Sequence, residues 1–84
     1  MRSITYEEYN SNYGTLIDVE ESETYKKKHY YEAINIPFEK LLGNYKKLLN
    51  KDRRYYITCR KGIKSKKVCS ILEYYGYDVT QIIN

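Results

Sequence analysis

The sequence predicts an α/β fold with a small, mainly parallel sheet of four to five strands flanked by helices. Short apolar runs of strand length alternate along the chain with segments of helical periodicity, which is the pattern of a parallel sheet. The run at residues 15–19 is almost wholly apolar, as expected of a strand buried on both faces. The 84 residues, with one Pro and four Gly, suit one ordered domain over residues 1–84.

The first predicted element is a short strand at residues 3–4. Thr5 and Glu8 then have the spacing of a capping box, which predicts a short helix that ends near Asn12. The apolar run described above is the second strand. A helical turn follows at residues 22–27, where acidic residues at the start and lysines at the end both suit the helix dipole.

The middle of the chain adds two strands and a longer helix. Residues 33–37 form a third strand that is stopped by its Pro. Residues 38–49 carry apolar side chains at three- and four-residue spacing, which predicts a helix that Gly43 and Asn44 could interrupt. Residues 54–58 are aromatic and β-branched, and this composition favours a fourth strand.

A last helix and a last strand complete the predicted fold. The helix covers residues 65–75, with Ser65 as its N-cap and Gly76 as the residue after its end. Residues 78–83 form the last strand. Cys69 falls on the inner face of the helix and is interpreted as a core residue rather than a resolving thiol for Cys59.

The segment between the fourth strand and the last helix contains the candidate reactive residues. Cys59 directly follows the strand, at the sheet edge where open α/β proteins bind ligands. Three features favour the thiolate form: the helix N-terminus, the converging amides of a tight loop at Gly62, and the charges of Arg60, Lys61 and Lys64. The pattern therefore predicts an exposed nucleophilic cysteine; the alternative is an inert, buried strand-end residue.

Three segments, in the same order along the chain, resemble the rhodanese family. The loop at residues 59–64, Cys-Arg-Lys-Gly-Ile-Lys, resembles the active-site loop of rhodaneses. The upstream match comprises Leu16, Ile17, Asp18, Val19, Glu21, Tyr25, His29 and residues 33–37. The downstream match is Gly76, Tyr77, Asp78 and Val79. The sequence is thus identified as that of a single-domain rhodanese-like sulfurtransferase.

This resemblance implies a reaction. Cys59 would take the outer sulfur of a donor such as thiosulfate, hold it as a persulfide, and pass it to cyanide or to a low-molecular-weight or protein thiol. No metal or organic cofactor would be needed. The substrate would be bound by the loop and the start of the helix: Arg60, Lys61, Gly62, Ile63, Lys64 and Ser65. The rival from another class is a rhodanese-like module that binds a protein or carries sulfur for one dedicated partner.

Related phosphatases and arsenate reductases have a loop one residue longer that closes with an Arg. Here the loop has six residues and closes with Lys64, which cannot form the bidentate fork of an Arg, so phosphatase chemistry is not expected. The chain departs from the family pattern at Glu20, where an Arg usually helps to order the site. Asp18 either hydrogen-bonds towards the loop or caps the turn that follows it, and His29 is interpreted as structural.

The net charge of the chain and its amino-terminal segment set expectations about its partners and its location. With 15 Lys and Arg against 11 acids, the chain has a net charge of +4, which favours anionic partners. No nucleic-acid motif accompanies the tyrosines and lysines, so no nucleic-acid partner is expected. The sequence shows no signal-peptide pattern and no apolar run long enough to span a bilayer. A cytoplasmic location without a membrane partner is therefore expected.

Overall fold

The computed structural model describes residues 1–83, so residue 84 of the predicted domain lies outside the described residues. The strands are Arg2–Thr5 (β1), Thr15–Asp18 (β2), Ile34–Asn35 (β3), Arg54–Thr58 (β4) and Asp78–Ile83 (β5). They form one sheet in the order β1-β5-β4-β2-β3, and each neighbouring pair is parallel. The predicted fold class is confirmed.

Three α-helices connect the strands: Ser22–Lys27 (α1), Phe38–Leu48 (α2) and Ile63–Tyr74 (α3). The break predicted in α2 is confirmed, because Asn44 has non-helical backbone angles, with φ −139°. Gly76 has a φ of 91° just after α3, as expected of the residue that ends a helix. Among residues 1–83, no helix has the length and apolar character needed to cross a bilayer.

Both faces of the sheet are covered, since successive side chains of a strand point to opposite faces. On one face α2 and α3 pack against β2, β4 and β5, and this cluster includes Ile17, Ile57 and Val79. The opposite face is smaller, with Leu16 and Tyr56 at its centre and several tyrosines around them. The sheet is therefore held firmly between its layers, and the carboxyl ends of its central strands are fixed in place.

Several predicted boundaries were wrong. Ser65 is not the N-cap of α3; the helix begins two residues earlier because Gly62 takes that position in a left-handed conformation. The first helix, predicted to end near Asn12, is one turn of 3-10 helix at Tyr6–Glu8, although its capping box is present as predicted. Strand β3 has two residues, because the chain leaves the sheet before the Pro.

Candidate active site

Cys59 lies at the carboxyl edge of the sheet, directly after β4. The ends of β4 and β2 are tied together there, since Val19 N–H donates to the carbonyl oxygen of Thr58 at 3.0 Å. Ligands of open α/β sheets bind beyond this edge. The structure thus places the predicted nucleophile where a ligand would approach it, at the entrance to α3.

The Cys59 sulfur contacts the first turn of α3 through Ser65. Ser65 N–H donates to Sγ at 3.2 Å, and the Sγ thiol donates to Ser65 Oγ at 3.3 Å. A hydroxyl has one proton to donate and two lone pairs, so after loss of the thiol proton Ser65 Oγ–H could turn and donate to the sulfur. The Ser65 amide belongs to the first turn of α3, so the positive end of the helix lies at Sγ.

Gly62 gives the loop its shape. Its φ of +80° is in the left-handed region, which a side chain with a Cβ adopts at a cost. The Gly62 carbonyl then accepts the Lys66 N–H of α3 at 3.1 Å, which starts the helix directly after the turn. This early start brings the Ser65 amide, rather than its side-chain oxygen alone, onto the Cys59 sulfur.

Gln81 of β5 is a part of the site that the sequence analysis missed. Its Nε2 donates to the Gly62 carbonyl and to Ser65 Oγ, both at 3.0 Å. The side chain is buried, so it acts as a fixed brace beneath the loop. One signal in the sequence could have identified Gln81: it is a polar amide within a strand predicted to be buried. Buried amides are almost always hydrogen-bonded, so Gln81 had to have a polar partner nearby.

The expectation of an exposed cysteine was wrong, because Cys59 is only 6% exposed. Ser65 covers the sulfur with two hydrogen bonds, and the residue Cys59 nonetheless lines two openings. One is a groove of about 810 Å³ that also borders Lys61, Ile63, Lys67 and Gln81. The other is a cavity of about 330 Å³ that also borders Asp18, His29, Tyr30 and Arg60. Cys59 therefore lies between two openings that are each large enough for a small reactant.

Glu20 contacts the loop directly, although the sequence analysis treated it only as a departure from the family. Its Oε2 accepts the Arg60 N–H at 2.8 Å, and its Oε1 lies 3.4 Å from Lys64 Nζ. The Glu20 side chain is 14% exposed, and that of Lys64 is 39% exposed. Lys64, predicted to bind an anionic substrate, is thus paired with a carboxylate of the protein itself.

Asp18 caps the turn that follows β2, which is one of the two contacts predicted for it. Its Oδ1 accepts the Glu20 N–H at 2.8 Å, so Asp18 fixes the backbone from which the Glu20 side chain reaches the loop. Burial raises the pKa of the Asp18 carboxyl above its ordinary value, and the charge of Glu20 adds to this, while the Glu20 amide opposes it.

The two remaining candidates, His29 and Cys69, make contacts that are typical of structural residues. His29 stacks on the ring of Tyr25 at 3.7 Å between centroids, and its Nδ1 lies 2.6 Å from the Tyr25 carbonyl oxygen. Cys69 is completely buried in the core beneath α3, as predicted, and burial raises the pKa of its thiol to about 12. Residues 1–83 contain no cluster of three metal-ligating side chains.

Three solved structures resemble the chain closely. A protein from Staphylococcus saprophyticus is 26% identical with a TM-score of 0.86, covering 98% of this chain and 86% of that one. A rhodanese-like domain protein from Staphylococcus aureus is 30% identical with a TM-score of 0.83, covering 98% and 84%. Reduced CoADR-RHD of Bacillus anthracis is 28% identical with a TM-score of 0.86, covering 96% of this chain but 15% of that one. No curated protein matches.

Fold and site together define a class: a parallel α/β domain in which a cysteine loop joins the end of a central strand to a helix. The sequence matches the Rhodanese-like domain family over residues 5–84, and the chain belongs to that family. The structural neighbours include single rhodanese-like domain proteins, which agrees with this assignment. Membership supports a function related to sulfur transfer.

Proposed function

We propose that the protein is a sulfurtransferase that moves sulfane sulfur from a donor such as thiosulfate to a thiol or cyanide acceptor through a Cys59 persulfide. The observation that carries the proposal is the 3.2 Å hydrogen bond from the Ser65 amide, in the first turn of α3, to Sγ. The amide donor and the helix N-terminus can stabilise the negative charge that the sulfur carries when it acts as a nucleophile.

The proposed reaction has two half-reactions. In the first, the Cys59 thiolate attacks the outer sulfur of thiosulfate, the sulfur–sulfur bond breaks, and sulfite leaves with the bonding pair. In the second, an acceptor thiolate or cyanide attacks the outer sulfur of the persulfide, and the Cys59 thiolate is restored. Charge and electrons balance in both steps, so no metal or organic cofactor is required.

The other proposed site residues take supporting roles. Arg60 and Lys61 are exposed beside the sulfur, so their charges are free to attract an anionic donor. Gly62 shapes the loop, and the first turn of α3 contains Ile63, Lys64 and Ser65. Asp18 supports the site at a distance, because it fixes the backbone of Glu20.

A second candidate function, a carrier that serves one protein partner, is favoured by the larger groove. Ile63 is 67% exposed at the groove rim, beside the exposed Lys66 and Lys67. An exposed apolar side chain among lysines suits an acidic protein surface better than a small ion. Such a carrier would accept sulfur from its partner and turn over slowly with free small molecules.

Intact-mass spectrometry tests the proposed function. The purified protein is incubated with a sulfane donor, beside Cys59→Ser and the matched control Cys69→Ser. The proposal expects a gain of one sulfur, removed by cyanide, in the wild type and Cys69→Ser but not in Cys59→Ser. Uptake by Cys59→Ser, or no uptake by any variant from any sulfane donor, would contradict it. Persulfide formation without steady turnover would favour the carrier.

A further inference from the structure

The Glu20 carboxylate occupies two anion-binding elements of the cysteine loop. It accepts the N–H of Arg60, the residue that follows Cys59, and it pairs with Lys64, the residue that precedes Ser65. The side chain is largely buried, at 14% exposure, so its negative charge is screened less than that of a surface acid. Neither the Arg60 amide nor the Lys64 charge is fully available to an incoming anion.

The Glu20 carboxylate affects how readily Cys59 reacts with a donor, and the effect depends on the charge of the donor. Attack on thiosulfate brings a dianion to the Cys59 thiolate, so three negative charges meet beside the Glu20 carboxylate. A thiosulfonate brings one negative charge and releases a sulfinate. A protonated thiol persulfide brings none: Cys59–S⁻ and R–S–SH give Cys59–S–SH and R–S⁻. Because Coulomb repulsion grows with the negative charge of the donor, Glu20 raises the barrier to reaction most for thiosulfate.

We propose that Glu20 is a specificity-determining residue that directs Cys59 towards sulfane donors carrying at most one negative charge, the class that includes thiol persulfides. The inference rests on the proposed sulfurtransferase function and narrows its donor class. Glu20 acts through the field at the loop rather than by touching the transferred sulfur. Arg60 and Lys61 remain exposed and still allow some reaction with dianions.

The test compares two donors that transfer sulfur from a sulfonyl centre and differ in charge. Thiosulfate is a dianion and methanethiosulfonate a monoanion, and cyanide is the acceptor for both, with thiocyanate measured as product. The variant Glu20→Gln keeps the shape and the acceptor for the Arg60 amide but removes the charge. The matched control is Glu21→Gln, because Glu21 is exposed and makes no capping hydrogen bond with its side chain.

The readout is kcat/KM for thiosulfate divided by kcat/KM for methanethiosulfonate, since intrinsic donor reactivities cancel when this ratio is compared between variants. Glu20→Gln is expected to raise the ratio roughly three- to tenfold, as the loss of one nearby charge implies. Glu21→Gln is expected to change it less than twofold. Glu20→Ala, a second variant, is expected to shift the ratio in the same direction. Circular dichroism confirms that each variant is folded.

The outcomes separate this inference from the proposed function. If both donors charge the wild type but Glu20→Gln leaves the ratio within twofold, the inference is overturned and the sulfurtransferase proposal stands. An equal shift in Glu21→Gln also overturns it, because a general surface-charge effect would then explain the result. If neither donor charges any variant, the proposed function and the inference fail together.

Discussion

Gln81 Nε2 donates to Ser65 Oγ at 3.0 Å, and this contact determines where the serine proton can point. The Gln81 amide occupies one lone pair of the hydroxyl oxygen, which leaves the second lone pair and the hydroxyl proton for the two remaining neighbours. The Cys59 thiol donates to the same oxygen at 3.3 Å, and the serine proton points to the Gly62 carbonyl, also 3.3 Å from Oγ. The last strand of the sheet thus holds in place the hydroxyl that the proposed nucleophile contacts.

Gln81→Met is expected to weaken both the site and the fold. The change keeps the side-chain length but removes two hydrogen bonds, which should lower the free energy of unfolding by about 1–2 kcal/mol. Without its brace, the Ser65 hydroxyl samples more orientations, and kcat/KM should fall roughly three- to tenfold. Urea unfolding and sulfur-transfer kinetics measure the two effects.

Ile82→Val is the matched control for Gln81→Met. Ile82 is the next residue of β5 and packs in the cluster on the other face of the sheet. The substitution should cost about 0.5–1.5 kcal/mol of stability with little change in kcat/KM. An equal loss of activity in both variants would show that activity follows general stability, and the orienting role of Gln81 would be rejected.

The central part of the site could be predicted because it is local in sequence. A strand, a cysteine, a turn glycine and a helix follow one another within residues 54–74, and such a segment has few ways to pack. Ser65 was assigned to the right region but the wrong position, because its side chain is a common N-cap, whereas Gly62 was interpreted as a turn residue and not as the N-cap.

The contacts of Glu20 and Gln81 could not be predicted from local patterns. Glu20 reaches Arg60 across 40 positions of sequence, and Gln81 reaches Gly62 across 19. Which side chains meet there depends on the sheet order, in which β2 and β5 flank β4. Alternating strands and helices predict a parallel sheet, but they do not specify that order or the rotamers at its edge.

Ser65→Ala tests the hydroxyl at the sulfur separately from the amide. The amide hydrogen bond to Sγ is a backbone contact and should persist, so persulfide formation should slow, by roughly tenfold, rather than disappear. Single-turnover uptake of sulfur, followed by mass, measures this step. Ser70→Ala is the control, because Ser70 is exposed on the same helix. Equal rates for Ser65→Ala and the wild type would rule out a role for the hydroxyl.

Gly62→Ala is expected to destabilise the protein by about 1–2 kcal/mol, because alanine is strained at a φ of +80°. The strain should also shift the loop and reduce sulfur transfer. Gly43→Ala is the control, and it should change the free energy of unfolding in the opposite direction. A Cβ at Gly43, within α2, meets no atom within 4 Å. That variant should gain about 0.5–1 kcal/mol, since alanine favours a helix. Urea unfolding distinguishes the two.

Cys69 is expected to make the protein less stable at alkaline pH. Burial raises the pKa of its thiol to about 12. In the unfolded chain a cysteine has its ordinary pKa of about 8.5. Above pH 8.5 the unfolded chain loses this proton while the folded protein keeps it. The contribution of the neutral thiol is therefore fully present below pH 8.5 and is lost as the pH rises through about 12.

The measurement is the free energy of unfolding of the wild type and Cys69→Ala between pH 7 and 10, with a reductant present. The variant should be less stable at pH 7, because the cavity left by the sulfur costs packing energy. The difference between the two proteins should then shrink as the pH rises, by up to about 1.4 kcal/mol per pH unit. A difference that is constant with pH would contradict the assignment, because the tyrosines and lysines titrate equally in both proteins.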